Sequence, residues 1–293
     1  MPSNINLKVN LNYCNGITGQ CLIALSKCQN LTGLHLLECA SIDSTSVNYL
    51  TRVSGIHELS LPLDAEDLNS VTHLTSLTAL DISSCNTIKP KKLASISTFP
   101  NLATLKLPAF TTDATIQHVN KCTSLVNLDL SLCEHISEAG VKQLTRDMSS
   151  LKSIKLTGNY LNKEVVLTDY IKLITTSLAN LEELSLANFY YKASSRNEFK
   201  LHLRQFSKLT NLQRLSITDN YFDNNALKLL APHLQNIKEL SINCPNVTDL
   251  GLACLSVLVN LQQLNLQRVV ETTKKGFKAL TTQLPSVTVA NVY

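Results

Sequence analysis

Hydrophobic and polar positions along the chain follow one recurrent rule: leucine or isoleucine at the first, fourth and sixth places of a six-residue window. LTGLHL occupies 31–36, IHELSL 56–61, LTALDI 77–82, LATLKL 102–107 and LVNLDL 125–130. LKSIKL (151–156), LEELSL (181–186), LQRLSI (212–217), IKELSI (237–242) and LQQLNL (261–266) continue it, so ten clear repeats fill 31–286. Successive windows start 25, 21, 25, 23, 26, 30, 31, 25 and 24 residues apart. An alternating segment, Ile5, Leu7, Val9 and Leu11, precedes them and predicts a first strand over 4–12. Val287, Val289 and Val292 follow and predict a last strand over 287–292.

Each repeat has two parts. The alternating part predicts a strand with its apolar residues facing inward. The remainder carries helical spacing, as in Leu167, Ile171, Ile174 and Leu178, or Phe199, Leu203 and Phe206. Ser195-x-x-Glu198 is a capping-box pattern that starts the second of these helices. One strand and one helix cannot close a core alone, but stacked copies bury a continuous one. The predicted architecture is an α/β solenoid, a horseshoe with a parallel concave sheet and convex helices, forming a single domain over 1–293.

Two stretches carry a family resemblance. LSLCEHISEAGVKQL (130–144) and INCPNVTDLGLACL (242–255) resemble the cysteine-containing subtype of the leucine-rich repeat. That subtype has a Cys after the strand, then Ile/Val-Thr/Ser-Asp/Glu, then a helix opened near Gly-Leu or Gly-Val. NYCNGITGQCLIAL (12–25) matches it more loosely. The resemblance covers nearly the whole chain and implies the leucine-rich-repeat solenoid. Repeats of this kind occur in substrate receptors of ubiquitin ligases and in effectors of intracellular bacteria. The receptors place an F-box helical domain before the repeats; here repeats begin within about the first ten residues, so that part is expected to be absent.

The nine cysteines fit the repeats. Cys39, Cys85 and Cys133 take the ninth place from the first repeat leucine, where Asp64 and Phe110 stand in the repeats between. Residues two layers apart in a parallel sheet are separated by about 10 Å, beyond the Cα reach of a disulfide, about 7 Å. Buried structural thiols are therefore expected, in a reducing, cytoplasmic setting. Cys14, Cys21 and Cys28 are seven apart, which is two helical turns, and are read as core rather than as metal ligands. No C-x-x-C, H-E-x-x-H, phosphate-binding glycine loop or G-x-S-x-G occurs. No catalytic residue, cofactor or metal is expected.

A net charge of +4 over 293 residues gives no footprint for nucleic acid, and Arg268, Lys274, Lys275 and Lys278 read as a solvated helix face. The N-terminus lacks a signal-peptide pattern, and no window of about 18 apolar residues suggests a membrane span.

Function in a solenoid sits on the surfaces that its repeats align. The fifth window position alternates in sign through Asp81, Lys106, Asp129 and Lys155, predicting ion pairs along the ladder. It then becomes small and polar at Ser185, Ser216, Ser241 and Asn265, beside Glu183, Arg214, Glu239 and Gln263 at the third position. Nine of the 15 Phe and Tyr fall between Tyr160 and Phe222. Counting assigns Phe189, Tyr191 and Phe222 to the core, and puts Tyr160, Tyr190 and Tyr221 together at the tenth position, on the loop leaving the strand. A rim of tyrosines offers large contact area with polar tips, although the same rings suit packing under the two longest repeats.

The candidate partner-binding residues are thus Tyr160, Tyr190, Tyr221, Ser185, Arg214, Ser216, Glu239, Ser241, Gln263 and Asn265. The expected function is a non-catalytic scaffold that binds a protein partner through the concave face and adjoining loops. The setting is the cytoplasm, or a host cytoplasm for a bacterial effector. A substrate-recognition subunit or fragment of a ubiquitin ligase is the alternative, and a small-GTPase activator the lesser one.

Overall fold

Every L-x-x-L-x-L window contributes a short parallel strand in the computed structural model of the protein. The structure describes residues 6–62, 68–158, 167–187, 189, 196–218 and 222–290, with the side chains of 196–198 left aside. These fall into two units, Met1–Ser150 and Leu151–Tyr293.

In the first unit the strands are β1 (Leu7–Asn10), β2 (Leu31–His35), β3 (Glu58–Ser60), β4 (Ala79–Asp81), β5 (Thr104–Lys106) and β6 (Asn127–Leu130), each parallel to the next. In the second they are β7 (Ser153–Thr157), β8 (Glu183–Ala187), β9 (Arg214–Ile217), β10 (Glu239–Asn243), β11 (Gln263–Gln267) and β12 (Thr288–Ala290), paired in the same manner. β1 and β12 lie inside the predicted 4–12 and 287–292; Ile5 and Val292 are outside the described residues.

The window leucines build the core. Leu102, Leu105 and Leu107, for example, are all buried, and full burial of such a side chain is worth about 2 kcal/mol. Strand and helix are joined because both present leucine to the same layer, so neither face is stable without its neighbours.

Behind the strands of the first unit lie α1 (Gln20–Leu25), α2 (Ser44–Val47), α3 (Asp113–Val119) and α4 (Glu138–Asp147). Behind those of the second unit lie α5 (Leu167–Ser177), α6 (Arg196–Leu203), α7 (Asn224–Leu230), α8 (Asp249–Ala253) and α9 (Lys274–Gln283). Leu167, Ile171, Ile174 and Leu178 are buried, as are Phe199, Leu203 and Phe206. α6 begins at Arg196, directly after Ser195, which is itself outside the described residues.

One helix per repeat does not hold throughout. Among the described residues, the repeats starting at 56 and 77 carry only 3-10 turns, Asn69–Val71 and Pro90–Thr98. A 3-10 turn rises about 2.0 Å per residue against 1.5 Å for an α-helix, so the short 21-residue repeat spans its layer with fewer residues. The second is opened by Pro90 and made of Ser- and Thr-rich sequence that forms α-helix poorly.

The Ser/Thr–x–x–Gly pattern at helix starts has a physical origin in helix capping between repeats. Ser137 caps α4, and Asp113, the first residue of α3, accepts from its N–H and hydroxyl. Asn224 at the start of α7 engages Thr248, the cap of α8. Asp249 at the start of α8 in turn holds Thr273, the cap of α9. Each acceptor occupies the space where a Cβ on the glycine two places into the next helix's first turn would stand. A Cβ on Gly140 would lie 2.2 Å from Asp113 Oδ1, one on Gly251 2.3 Å from Asn224 Oδ1, and one on Gly276 2.1 Å from Asp249 Oδ1.

All nine cysteines are free thiols. Cys39, Cys85 and Cys133 are buried, and each sulfur reaches a carbonyl of the preceding exit loop: Leu11 at 2.9 Å, Pro62 at 3.2 Å and Pro108 at 3.3 Å. Burial pushes the thiols of Cys85, Cys133 and Cys244 up to about 12 and that of Cys122 to about 11. Phe110, counted into this column, is only half-buried, and Thr111 beside it is buried with its hydroxyl on the Pro108 carbonyl. The loop from Leu107 to the helix cap Thr112 is shorter than that from Leu130 to Ser137, so counting from the strand loses step there. Asp64 is outside the described residues.

Cys14, Cys21 and Cys28 depart from the expected core: all three are half-buried, and only Cys21 lies in a helix. Among the described residues β1 pairs on one side only, with β2, so the first layer has half the cover of the others.

Candidate interaction surface

The outward side chains of the second unit's strands form two ladders in register. Pairing aligns Glu183 with Arg214, Arg214 with Glu239 and Glu239 with Gln263. The same register aligns Lys155 with Ser185, Ser185 with Ser216, Ser216 with Ser241 and Ser241 with Asn265. Parallel pairing repeats every about 4.8 Å, so equivalent places in successive repeats become lateral neighbours. Ser185, Arg214, Ser216, Glu239, Ser241, Gln263 and Asn265, chosen from the sequence columns, line one shallow depression of about 360 Å³.

Lys155 and Glu183 complete it. They stand in the same columns: Glu183 shares its repeat with Ser185, and Lys155 lies one repeat before it. Glu183 is the most connected group on this floor. It meets Lys155 at 3.3 Å and Arg214 at 3.2 Å, and accepts from Ser153 Oγ at 3.0 Å. Partial burial works against its ionised form, yet Lys155, Ser153 and Arg214 outweigh that and hold the carboxyl below the usual glutamate range. Arg214 and Glu239 stay accessible beside it, and Asn265 Oδ1 is buried with no hydrogen-bond partner among the described residues. The four charges lining the depression cancel, leaving hydroxyls, amides and an Arg–Glu neighbour pair. Such a surface offers hydrogen-bonding groups and paired charges rather than apolar area.

The sheet face of the first unit is different. The expected ladder pair forms between Asp81 and Lys106 at 3.1 Å. Asp81 and Asp129 also turn back on their own strand exits, accepting from the N–H and hydroxyl of Ser83 and Ser131. A second depression of about 340 Å³ holds His35, Glu58 and Ser60 together. His35 Nδ1 lies 2.9 Å from Ser60 Oγ, and its Nε2 lies 3.9 Å from Glu58, too far for a hydrogen bond. Glu58 is taken instead by Lys8 at 2.8 Å, and Ser60 is only 3% exposed. The hydroxyl is oriented but shielded, so the trio lacks the access that a nucleophile needs.

Tyr160, Tyr190 and Tyr221 are outside the described residues, as are Tyr191 and Leu161. Phe189 and Phe222 are buried, as counting assigns them. Phe189 meets the Tyr170 ring edge-on at 4.8 Å between centroids, and Phe222 meets Phe199 at 5.5 Å. Glycine at 158 leaves room for Phe189: a Cβ there would stand 2.5 Å from the ring and 2.8 Å from its Cα.

Among the described residues no group of His, Cys, Asp and Glu is arranged to hold a metal ion, and no helix is long and apolar enough to cross a membrane. No protein-family model matches the chain, and no curated protein matches it in sequence. Solved structures do resemble it. A yeast Rad7 and Elc1 complex matches with a TM-score of 0.62 at 17% identity, covering 95% of this chain and 80% of the other. The leucine-rich repeat-containing protein LegL7 of Legionella pneumophila gives 0.59 at 15% identity, covering 95% and 97%. An internalin of Listeria monocytogenes gives 0.51 at 17% identity, covering 90% and 81%. At these identities the likeness is one of fold: an α/β leucine-rich-repeat solenoid.

Proposed function

From the leucine-rich-repeat fold as premise, we propose that this chain is a non-catalytic scaffold that binds a protein partner through the sheet face of its second unit. The observation that carries this reading is the in-register depression from Lys155 to Asn265, where an accessible Arg214–Glu239 pair is set among serines. Helices cover the opposite side of the sheet, so this floor is where aligned side chains remain available. Its balanced charge favours a polar protein surface over a nucleic-acid backbone. Tyr160, Tyr190 and Tyr221, which lie outside the described residues, are proposed from their common place in the repeat as further partner contacts. The whole of 1–293 acts as one binding domain, in the cytoplasm, where its free thiols are kept reduced.

Affinity capture from cytosol with mass spectrometry tests this reading. Ser216→Arg and the Arg214→Glu, Glu239→Lys pair should abolish capture of a partner that the wild type retains, with melting unchanged. Equal capture by all three proteins contradicts it.

A second reading, a ubiquitin-ligase substrate receptor, is favoured by the resemblance of the cysteine-containing repeats to that class. It requires an adaptor subunit to copurify with the captured partner. An effector acting in a host cell would instead capture its partner from host cytosol alone. A small-GTPase activator would speed GTP hydrolysis by an added GTPase.

A further inference from the structure

Cys14 and Cys39 occupy equivalent places in consecutive layers. β1 aligns Asn10 with His35, and beyond the strands the two exit loops keep the same offset. The Leu37 N–H donates to Asn12 Oδ1 at 2.8 Å, Tyr13 N–H to the Leu37 carbonyl at 2.8 Å, and Ser41 Oγ to the Asn15 carbonyl at 2.8 Å. These bonds bracket both cysteines. One acceptor then joins them: the Leu11 carbonyl takes the Cys14 N–H at 3.1 Å and the Cys39 thiol at 2.9 Å. Cys39, Cys85 and Cys133 each skip a layer, but this pair does not. A one-layer separation of about 4.8 Å falls inside the disulfide Cα range, about 4.4–6.8 Å.

We propose that Cys14 and Cys39 are a redox-modifiable pair, closed to a disulfide by a low-molecular-weight disulfide oxidant such as oxidised glutathione. Cys14 is half-buried and is the entering thiol; Cys39 is buried and resolves. The Cys14 thiolate attacks the oxidant, forming a mixed disulfide and releasing one reduced thiol. The Cys39 thiolate then attacks the Cys14 sulfur and releases the second. Two protein thiols are oxidised, the oxidant's disulfide takes the two electrons, and the two protons pass to the released thiols. Closure ties the thinly covered first layer to the second. Burial raises the Cys39 thiol, with the Cys14 backbone acting against it, so the resolving step accelerates as pH rises. Cys21 is the competing neighbour, since Cys39 also acts electrostatically on it.

The test is to incubate the full chain with oxidised glutathione and map peptides without reduction. The expected result is a Cys14–Cys39 crosslinked peptide, an intact mass lower by two hydrogens with no glutathione retained, and reversal by dithiothreitol. Cys21→Ser keeps this crosslink and Cys14→Ser, a half-buried site whose folding is checked by circular dichroism, removes it. A lasting glutathione adduct on Cys14, a Cys21–Cys39 link, or the same mass loss in Cys14→Ser overturns the proposal.

Discussion

Glu183 and Arg214 stand opposite one another on neighbouring strands, joined at 3.2 Å, and Glu183 is shared with Lys155 at 3.3 Å. One carboxylate therefore ties three successive repeats of the second unit at the edge of the proposed binding floor. Its folded pKa is depressed, so its contribution is present above the unfolded value, about 4.3, and is lost as pH falls through the lower folded value. Glu183→Gln should remove that loss. The drop in melting temperature between neutral pH and about pH 3 should be smaller in the variant than in wild type, as read by differential scanning calorimetry. At neutral pH the exposed pairs contribute about 1 kcal/mol or less.

Glycine to alanine inside a helix ordinarily stabilises by about 1 kcal/mol. Gly251→Ala should do the reverse. The new Cβ meets Asn224 Oδ1 at 2.3 Å and Val247 at 2.8 Å, and Asn224 cannot move without giving up Thr248. A loss of about 1–3 kcal/mol is expected, the usual range for overpacking. Denaturant titration checks the sign, and stabilisation would show that the capping ladder is slack. Gly158→Ala should cost at least as much, because it strikes the Phe189 backbone as well as its ring.

Truncating Phe222 to alanine removes a fully buried ring and its edge-to-face contact with Phe199. About 3–5 kcal/mol should be lost. Tyr160→Ser, Tyr190→Ser and Tyr221→Ser together should leave melting unchanged while weakening partner capture; a large fall in melting temperature would make those rings packing rather than interface.

Native thiol reactivity should split by burial. Cys14, Cys21, Cys28 and Cys254 are half-buried and should react with a disulfide reagent at pH 8, while Cys85, Cys122, Cys133 and Cys244 should wait for unfolding. With thiols raised to about 11–12, the latter hold almost no thiolate under native conditions.

Much of this was legible from the chain because the repeat has two independent periods, the strand's two and the layer's roughly 25. Position counting gave Ser216 and Ser241 as neighbours, and the register of β9 on β10 agrees. It failed where loop length changed, as at Phe110, and where 3-10 turns replaced helix, as at Pro90–Thr98, because neither alters the leucine windows. The Cys14–Cys39 relation was present as a single repeat step, but the first repeat lacks a leucine at its first place, Asn6, and so escaped the count. The glycines of the capping ladder carried a signal in sequence whose cause, an acceptor from the preceding repeat, exists only once the layers stack.

The most direct test of the central claim is photo-crosslinking from a benzoylphenylalanine introduced at Gln263, exposed on the floor, compared with one at Lys228, exposed on α7 of the same unit. The account predicts a partner protein crosslinked from position 263 and not from 228, with both variants melting like wild type. Crosslinking of that partner from 228 with none from 263 would contradict it.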